Sequence, residues 1–116
     1  MNAHNYVLLV EDEDSIRLAL KEYLDSVGIE ALVASDGVGA IKHLLDYDVK
    51  VIVSDYRMDV LGGDYWIRFL QRFCPHIRVL LTSGFLSNVG TLPFEVFPKP
   101  LIFSELEARL RSLLEP

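Results

Sequence analysis

Short apolar runs alternate along the chain with longer segments in which apolar residues recur at helical spacing. The apolar runs predict five strands, at residues 6–10, 29–34, 51–53, 77–82 and 96–97. Most of them are continuous rather than alternating, which is typical of strands that are buried on both faces of a parallel sheet. The third run leads almost directly into Asp55, so this carboxylate is expected where a buried strand ends.

The segments between these runs predict amphipathic helices. Their stripes are Ile16, Leu20, Tyr23, Leu24 and Val27; then Ile41, Leu44 and Leu45; then Trp66, Phe69, Leu70 and Phe73; and finally Leu106, Leu110, Leu113 and Leu114. Gly28 suits the position after the first helix, and Pro75 ends the third. Asp14 or Ser15 is expected to cap the first helix, and Ser104 with Glu107 forms a capping-box pattern for the last.

Strands that alternate with helices predict βαβ units and one parallel sheet. We expect an α/β fold with a doubly wound, five-stranded sheet in the flavodoxin-like order 2-1-3-4-5, and one domain over residues 1–116. Residues 85–95 contain Gly90 and Pro93 and show no helical stripe. The fourth helix of such a fold is therefore expected to be shortened or absent, because a full crossover needs at least about 10–12 residues.

Polar side chains follow the predicted strands where each one ends. Glu11 and Asp12 follow the first strand, Asp55 the third, Thr82 and Ser83 the fourth, and Lys99 the fifth. In the expected order the first and third strands are neighbours, so three carboxylates converge on one crevice. Converging acids repel each other unless a cation lies among them, and an all-oxygen ligand set favours Mg²⁺. An aspartate beside Mg²⁺ is also a plausible nucleophile towards phosphorus.

Composition narrows the function classes. The net charge of −6 and the pI of about 4.9 argue against direct nucleic-acid binding, which needs a basic face. No apolar run approaches the ~20 residues that span a bilayer, so no membrane association is expected. The single cysteine, Cys74, is expected to be a small buried hydrophobe, and a cytoplasmic location is expected.

The motifs together resemble the receiver domain of response regulators in two-component signalling. The residues that carry the resemblance are the runs Val7-Leu8-Leu9-Val10-Glu11-Asp12-Glu13, Val53-Ser54-Asp55-Tyr56-Arg57-Met58, Leu80-Leu81-Thr82-Ser83-Gly84 and Lys99-Pro100, together with Gly63. The resemblance implies a phosphorylation-dependent switch rather than a turnover enzyme. Such a switch catalyses only its own phosphotransfer and dephosphorylation. It implies a histidine kinase or a histidine phosphotransfer protein as donor, an effector domain outside this chain as partner, and a second copy in a homodimer.

The resemblance also assigns roles by position. Asp12 would bind Mg²⁺ directly and Glu11 partly through water, with Asp55 and the backbone carbonyl of Arg57 as further ligands. Asp55 would be the phosphoacceptor. Ser83 would be the hydroxyl that bonds the phosphoryl group, with Thr82 as the alternative if the register slips by one residue. Lys99 would pair with the phosphate, and its bond to Pro100 is expected to be cis.

The chain departs from the family pattern at several positions. Asp59 stands where proline is usual, Glu11 replaces a frequent aspartate, and Val96 occupies a position that is often aromatic. Two other functions fit part of the pattern: a binding module that has kept the fold but lost the phosphate cycle, and a phosphohydrolase of the haloacid dehalogenase type. The second requires another aspartate two residues after the nucleophile, where this chain has Arg57.

Overall fold

The computed structural model describes residues 6–57, 63–84 and 93–115 of the chain. Its elements in chain order are β1 (Tyr6–Val10), α1 (Asp14–Ser26), β2 (Ala31–Ala34), α2 (Gly37–Asp46), β3 (Val49–Asp55), α3 (Gly63–Phe73), β4 (Arg78–Ser83), β5 (Glu95–Pro98) and α4 (Phe103–Leu114). Strands and helices therefore alternate from β1 to β4, as the apolar pattern predicts, and α4 follows β5. Most of the connection from β4 to β5, including the expected site of a fourth helix before β5, lies outside the described residues.

The five strands form one parallel sheet in the order β2-β1-β3-β4-β5, which confirms the predicted topology. The order of winding reverses between β1 and β3, which lie side by side. Val10 at the end of β1 is paired with Ser54 of β3, and Asp55 is paired with Thr82 of β4. The carboxyl ends of these central strands consequently lie level with one another, at the edge where ligands bind in such sheets.

Two apolar cores, one on each face of the sheet, hold this edge in place. Side chains of α2 and α3, including Trp66 and Leu70, pack on one face of the sheet. Side chains of α1 and α4, including Leu24 and Leu110, pack on the other. The central strands are buried on both faces, which explains why their sequences are continuously apolar. Cys74 lies in the first core, as expected for a small buried hydrophobe.

Helix starts are the local feature that the sequence predicts least well. Helix α1 begins at Asp14 with Glu13 as its N-cap, and α4 begins after Ile102, so both predicted caps are wrong. The carboxylate of Glu107 instead accepts a hydrogen bond from the Tyr23 hydroxyl, across the interface between α1 and α4. Ser104 is the second residue of α4 and not its N-cap.

Other local predictions are confirmed. Gly28, with a φ of 81°, follows the C-cap of α1, where a left-handed conformation favours glycine. The Lys99–Pro100 peptide bond is cis. Among the described helices, none has both the length and the apolar character needed to cross a bilayer.

Candidate functional site

Three carboxylates meet where β1 and β3 end. Glu11 and Asp12 directly follow β1, Asp55 is the last residue of β3, and one oxygen from each lies within 4.8 Å of the others. Glu11 and Asp55 are buried, whereas Asp12 is exposed. The structure therefore brings together all three acids that the sequence predicts as metal ligands, with one of them open to solvent.

Lys99 reaches this cluster from the end of β5. Its Nζ lies 2.9 Å from Glu11 Oε1 and 3.3 Å from Asp55 Oδ2. Its backbone N–H donates to the carbonyl of Ser83 at 2.9 Å, which anchors the loop after β5 to the end of β4. A lysine held between two buried carboxylates neutralises part of their charge, and it is poised for a further anion beside Asp55.

Burial and the neighbouring charges shift the pKa values of Asp55 and Lys99. Desolvation, followed by the negative charge of Glu11, raises the pKa of Asp55 to about 6, although Lys99 and the Arg57 backbone N–H act in the opposite direction. Burial alone would lower the pKa of Lys99, but its contacts with Glu11 and Asp55 outweigh burial and raise it overall. An added cation among these acids would favour the ionised form of Asp55.

Both oxygens of Glu11 already have partners in the structure. Oε1 accepts from Lys99, and Oε2 accepts from the backbone N–H of Glu13 at 3.1 Å. The carboxylate of Glu11 is therefore engaged within the protein, whereas Asp12 is exposed to solvent. Arg57 places its backbone N–H 3.3 Å from Asp55 Oδ1, so the loop after β3 begins by folding back towards the acceptor carboxylate.

The two candidate hydroxyls at the end of β4 occupy different surroundings. Thr82 is paired with Asp55 and lines a small cavity with Leu9, Val53 and other apolar side chains. Ser83 comes one position later, at the end of β4, where its carbonyl holds Lys99. Both side chains are buried.

Sequence reasoning missed two sets of contacts beside the site. Arg17 of α1 donates to the backbone carbonyl of Glu11 at 2.9 Å and forms an ion pair with Asp14. Trp66 of α3 donates to Ser54, next to Asp55 in β3. Two features of the sequence could have indicated these contacts: Arg17 lies on the first turn of a predicted helix, and Ser54 is a polar residue inside an apolar strand.

The raised pKa of Asp55 predicts how the stability of the fold depends on pH. Well below pH 4 the carboxyl is neutral in both the folded and the unfolded chain, whereas well above pH 6 the folded chain must hold a charge that burial disfavours. Replacing Asp55 by Asn is therefore expected to raise the free energy of unfolding of the metal-free protein at pH 8. A difference of about 2 in pKa corresponds to an increase of roughly 3 kcal/mol.

Urea unfolding in EDTA, repeated from pH 4 to pH 8, measures this effect. The stabilisation should appear as the pH rises from about 4 and be complete above about 6. Asp48→Asn is the matched control, because Asp48 is exposed and precedes the opposite end of the same strand. A gain from Asp55→Asn that is the same at every pH would contradict the electrostatic explanation.

Comparisons with known proteins agree with this geometry. The family model of the response regulator receiver domain matches residues 7–91. The sensor kinase CckA of Brucella abortus is 32% identical over 117 residues, which cover 94% of this chain and 12% of CckA. The transcriptional regulatory protein CpxR of Klebsiella pneumoniae is 33% identical over 115 residues, which cover 95% of this chain and 49% of CpxR. The chain thus spans half or less of the length of these relatives.

A solved structure supports the fold as well. The receiver domain of the Francisella response regulator 1452 superposes with a TM-score of 0.85 at 25% identity, over 96% of this chain and 97% of that domain. A likeness over 96% of the chain extends beyond the matched residues 7–91.

Proposed function

The chain belongs to the response regulator receiver domains of two-component signalling, and we propose that Asp55 is the phosphoacceptor of this domain. The observation that carries the proposal is the contact between Asp55 and Lys99 beside two further acids, at the end of the central strand. Receiver domains act as phosphorylation-dependent switches, and residues 1–116 as a whole would form one such switch. The donor would be the phosphohistidine of a histidine kinase or of a histidine phosphotransfer protein.

The acids fit a Mg²⁺ ion. Three carboxylates with oxygens within 4.8 Å of each other offer a hard, all-oxygen donor set, and a cation among them would oppose the burial and the Glu11 charge that raise the pKa of Asp55. Asp12 and Asp55 would hold the ion directly, Glu11 would contribute partly through water, and the Arg57 carbonyl would complete the protein ligands. When bound, Mg²⁺ neutralises charge on the phosphoryl oxygens during transfer.

The chemistry required of the chain is then simple. A carboxylate oxygen of Asp55 attacks the phosphorus, and an O–P bond forms while the P–N bond to the donor histidine breaks. The bonding electrons leave with the imidazole nitrogen, which takes up a proton. Hydrolysis later breaks the same O–P bond and returns the free carboxylate and inorganic phosphate, a dephosphorylation that the domain catalyses for itself.

Lys99 and Ser83 would bind the new phosphoryl group. Lys99 Nζ lies 3.3 Å from Asp55 Oδ2, so it needs only a small displacement to contact an oxygen of a group bonded to Asp55. Ser83 would donate its hydroxyl to another oxygen and shift with the phosphorylated state, with Thr82 as the alternative. A cytoplasmic location, and partners consisting of an effector domain or a second copy of the chain, belong to the same proposal.

Beryllofluoride, an analogue of the phosphoryl group, tests the proposed site without a kinase. We expect ¹⁹F NMR to show a bound signal only when Mg²⁺ is present. Asp12→Ala should abolish that signal at a Mg²⁺ concentration that saturates the unmodified chain, because it removes the exposed carboxylate. Asp48→Ala, which removes an exposed acid before the opposite end of β3, should bind like the unmodified chain.

Two results would contradict the proposal. Absence of a bound signal from the unmodified chain at saturating Mg²⁺ would favour a binding module without a phosphate cycle. A signal that is independent of Mg²⁺, or that survives Asp12→Ala unchanged, would place the metal or the analogue elsewhere.

A further inference from the structure

A buried hydrogen-bonded chain links helix α3 to the main chain of Asp55. The indole N–H of Trp66 donates to the hydroxyl oxygen of Ser54 at 2.8 Å, and the Ser54 hydroxyl donates to the carbonyl of Asp55 at 3.0 Å. Both side chains are fully buried. Hydrogen bonds are stronger in such surroundings than in water, and a group that loses its partner there is costly.

Two further contacts tie the first turn of α3 to the same strand end. The backbone N–H of Gly63 donates to the carbonyl of Tyr56 at 2.9 Å, and the Tyr56 hydroxyl donates to Asp64 at 3.0 Å. The contact with Asp64 is exposed, so water competes with it. The link through Trp66 is the buried one, and the indole ring is also stacked on Phe69 with an interplanar angle of 9°.

We propose that Trp66 and Ser54 are positioning residues for phosphorylation of Asp55. This inference rests on the proposed role of Asp55. Phosphoryl transfer depends mainly on where the nucleophile is held, and a misplacement of about 1 Å can cost roughly 100-fold in rate. The hydroxyl of Ser54 bonds the carbonyl of Asp55 itself, so the position of α3 helps to determine where that carboxylate lies. For the binding of a phosphoryl analogue the coupling must be reciprocal, so occupation of the site at Asp55 is expected to change the surroundings of Trp66.

A purely structural role makes a different prediction. If the Ser54 hydroxyl served only to satisfy the buried indole N–H, its loss would lower the stability of the fold and leave the phosphorylation rate of the folded protein unchanged. The two roles therefore separate when the rate is measured well below the unfolding temperature and at saturating Mg²⁺.

The first experiment measures phosphorylation by acetyl phosphate in variants of the pair. Ser54→Ala removes the hydroxyl, Ser54→Thr keeps one as the matched control, and Trp66→Phe keeps an aromatic ring without the N–H. We expect Ser54→Ala and Trp66→Phe each to slow the reaction roughly tenfold or more, while Ser54→Thr stays near the unmodified rate. The double variant should be no slower than the slower single one, because both act through one link.

The second experiment uses Trp66 as a reporter, since it is the single tryptophan of the chain. Mg²⁺ with beryllofluoride should change its fluorescence in the unmodified protein and in Ser54→Thr. Ser54→Ala should lose this change while ¹⁹F NMR still shows the bound analogue. Circular dichroism and thermal unfolding establish that each variant is folded at the temperature used.

The outcomes separate this inference from the proposed function. If the unmodified chain fails to bind beryllofluoride, the proposed role of Asp55 fails. If it binds, the inference is overturned when folded Ser54→Ala is phosphorylated within twofold of Ser54→Thr, when the effects of the two single substitutions simply add, or when Trp66 responds equally with and without the Ser54 hydroxyl.

Discussion

Replacement of Asp55 by Asn is expected to abolish phosphorylation of the chain by acetyl phosphate in the presence of Mg²⁺. An amide has no anionic oxygen to attack phosphorus, and Asp55 is the acid of the cluster that ends the central strand, where it is buried and contacts Lys99. Intact-mass spectrometry should show the mass of one phosphoryl group added to the unmodified chain and none added to Asp55→Asn.

The stability of this variant makes the result interpretable. Because Asn removes a buried charge, Asp55→Asn should be at least as stable as the unmodified chain at neutral pH, so loss of phosphorylation cannot be ascribed to unfolding. Asp48→Asn should be phosphorylated normally, since Asp48 is exposed and far from the end of β3. A phosphoryl group gained by Asp55→Asn at the unmodified rate would show that another residue is the acceptor.

Replacement of Lys99 by Ala is expected to slow phosphorylation of Asp55 by roughly 100-fold, the usual effect of removing one preorganised group that stabilises developing charge. The same change should leave the affinity for Mg²⁺ unchanged or higher. Lys99 is a cation 2.9 Å from Glu11 and 3.3 Å from Asp55, so its charge opposes the binding of another cation to those acids. Calorimetric titration with Mg²⁺ and mass-based phosphorylation rates measure the two effects separately.

Lys50→Ala is the matched control for this experiment. Lys50 lies near the start of β3, is exposed, and is paired only loosely with Asp48 at 3.4 Å. It should change neither the phosphorylation rate nor Mg²⁺ affinity. Loss of Mg²⁺ binding in Lys99→Ala as severe as in Asp12→Ala would show instead that Lys99 organises the metal site and does not chiefly bind the phosphoryl group.

The topology could be predicted because buried strands are continuously apolar, whereas the helices that cover them have apolar residues at helical spacing. Continuous apolar strands such as β1 and β3 are buried on both faces by the two helical layers. The stripe predicted for α3 is confirmed at Trp66 and Leu70, but Phe73 is exposed, and Ile67 is buried although the stripe did not include it. Once the order 2-1-3-4-5 is expected, the carboxyl ends of β1, β3 and β5 must lie at the same edge of the sheet, with β1 and β3 side by side. The convergence of Glu11, Asp12, Asp55 and Lys99 was therefore predictable from the positions of these residues just after the apolar runs.

Side-chain contacts between different helices, and between a helix and the sheet, could not be predicted from sequence spacing. The capping-box pattern at Ser104 failed because α4 begins earlier, at Phe103. Sequence spacing also gives no indication of which helix lies opposite, so the bond between Glu107 and Tyr23 was not predicted. The bond from Trp66 to Ser54 was missed for the same reason. Glu11 was expected to act on a metal, but its direct contact with Lys99 depends on the reach of two long side chains that follow β1 and β5, two strands that β3 and β4 separate in the sheet.

Locating the modified residue shows whether Asp55 accepts a phosphoryl group at a Mg²⁺ site. An acyl phosphate formed with acetyl phosphate can be reduced with borohydride, which converts the phosphorylated aspartate to homoserine, and the site can then be read by peptide mass spectrometry. We predict homoserine at position 55 when Mg²⁺ is present and none at that position when EDTA replaces it. Homoserine at the position of another aspartate would contradict Asp55 as the phosphoacceptor. Equal conversion of residue 55 without Mg²⁺ would contradict the role of the metal.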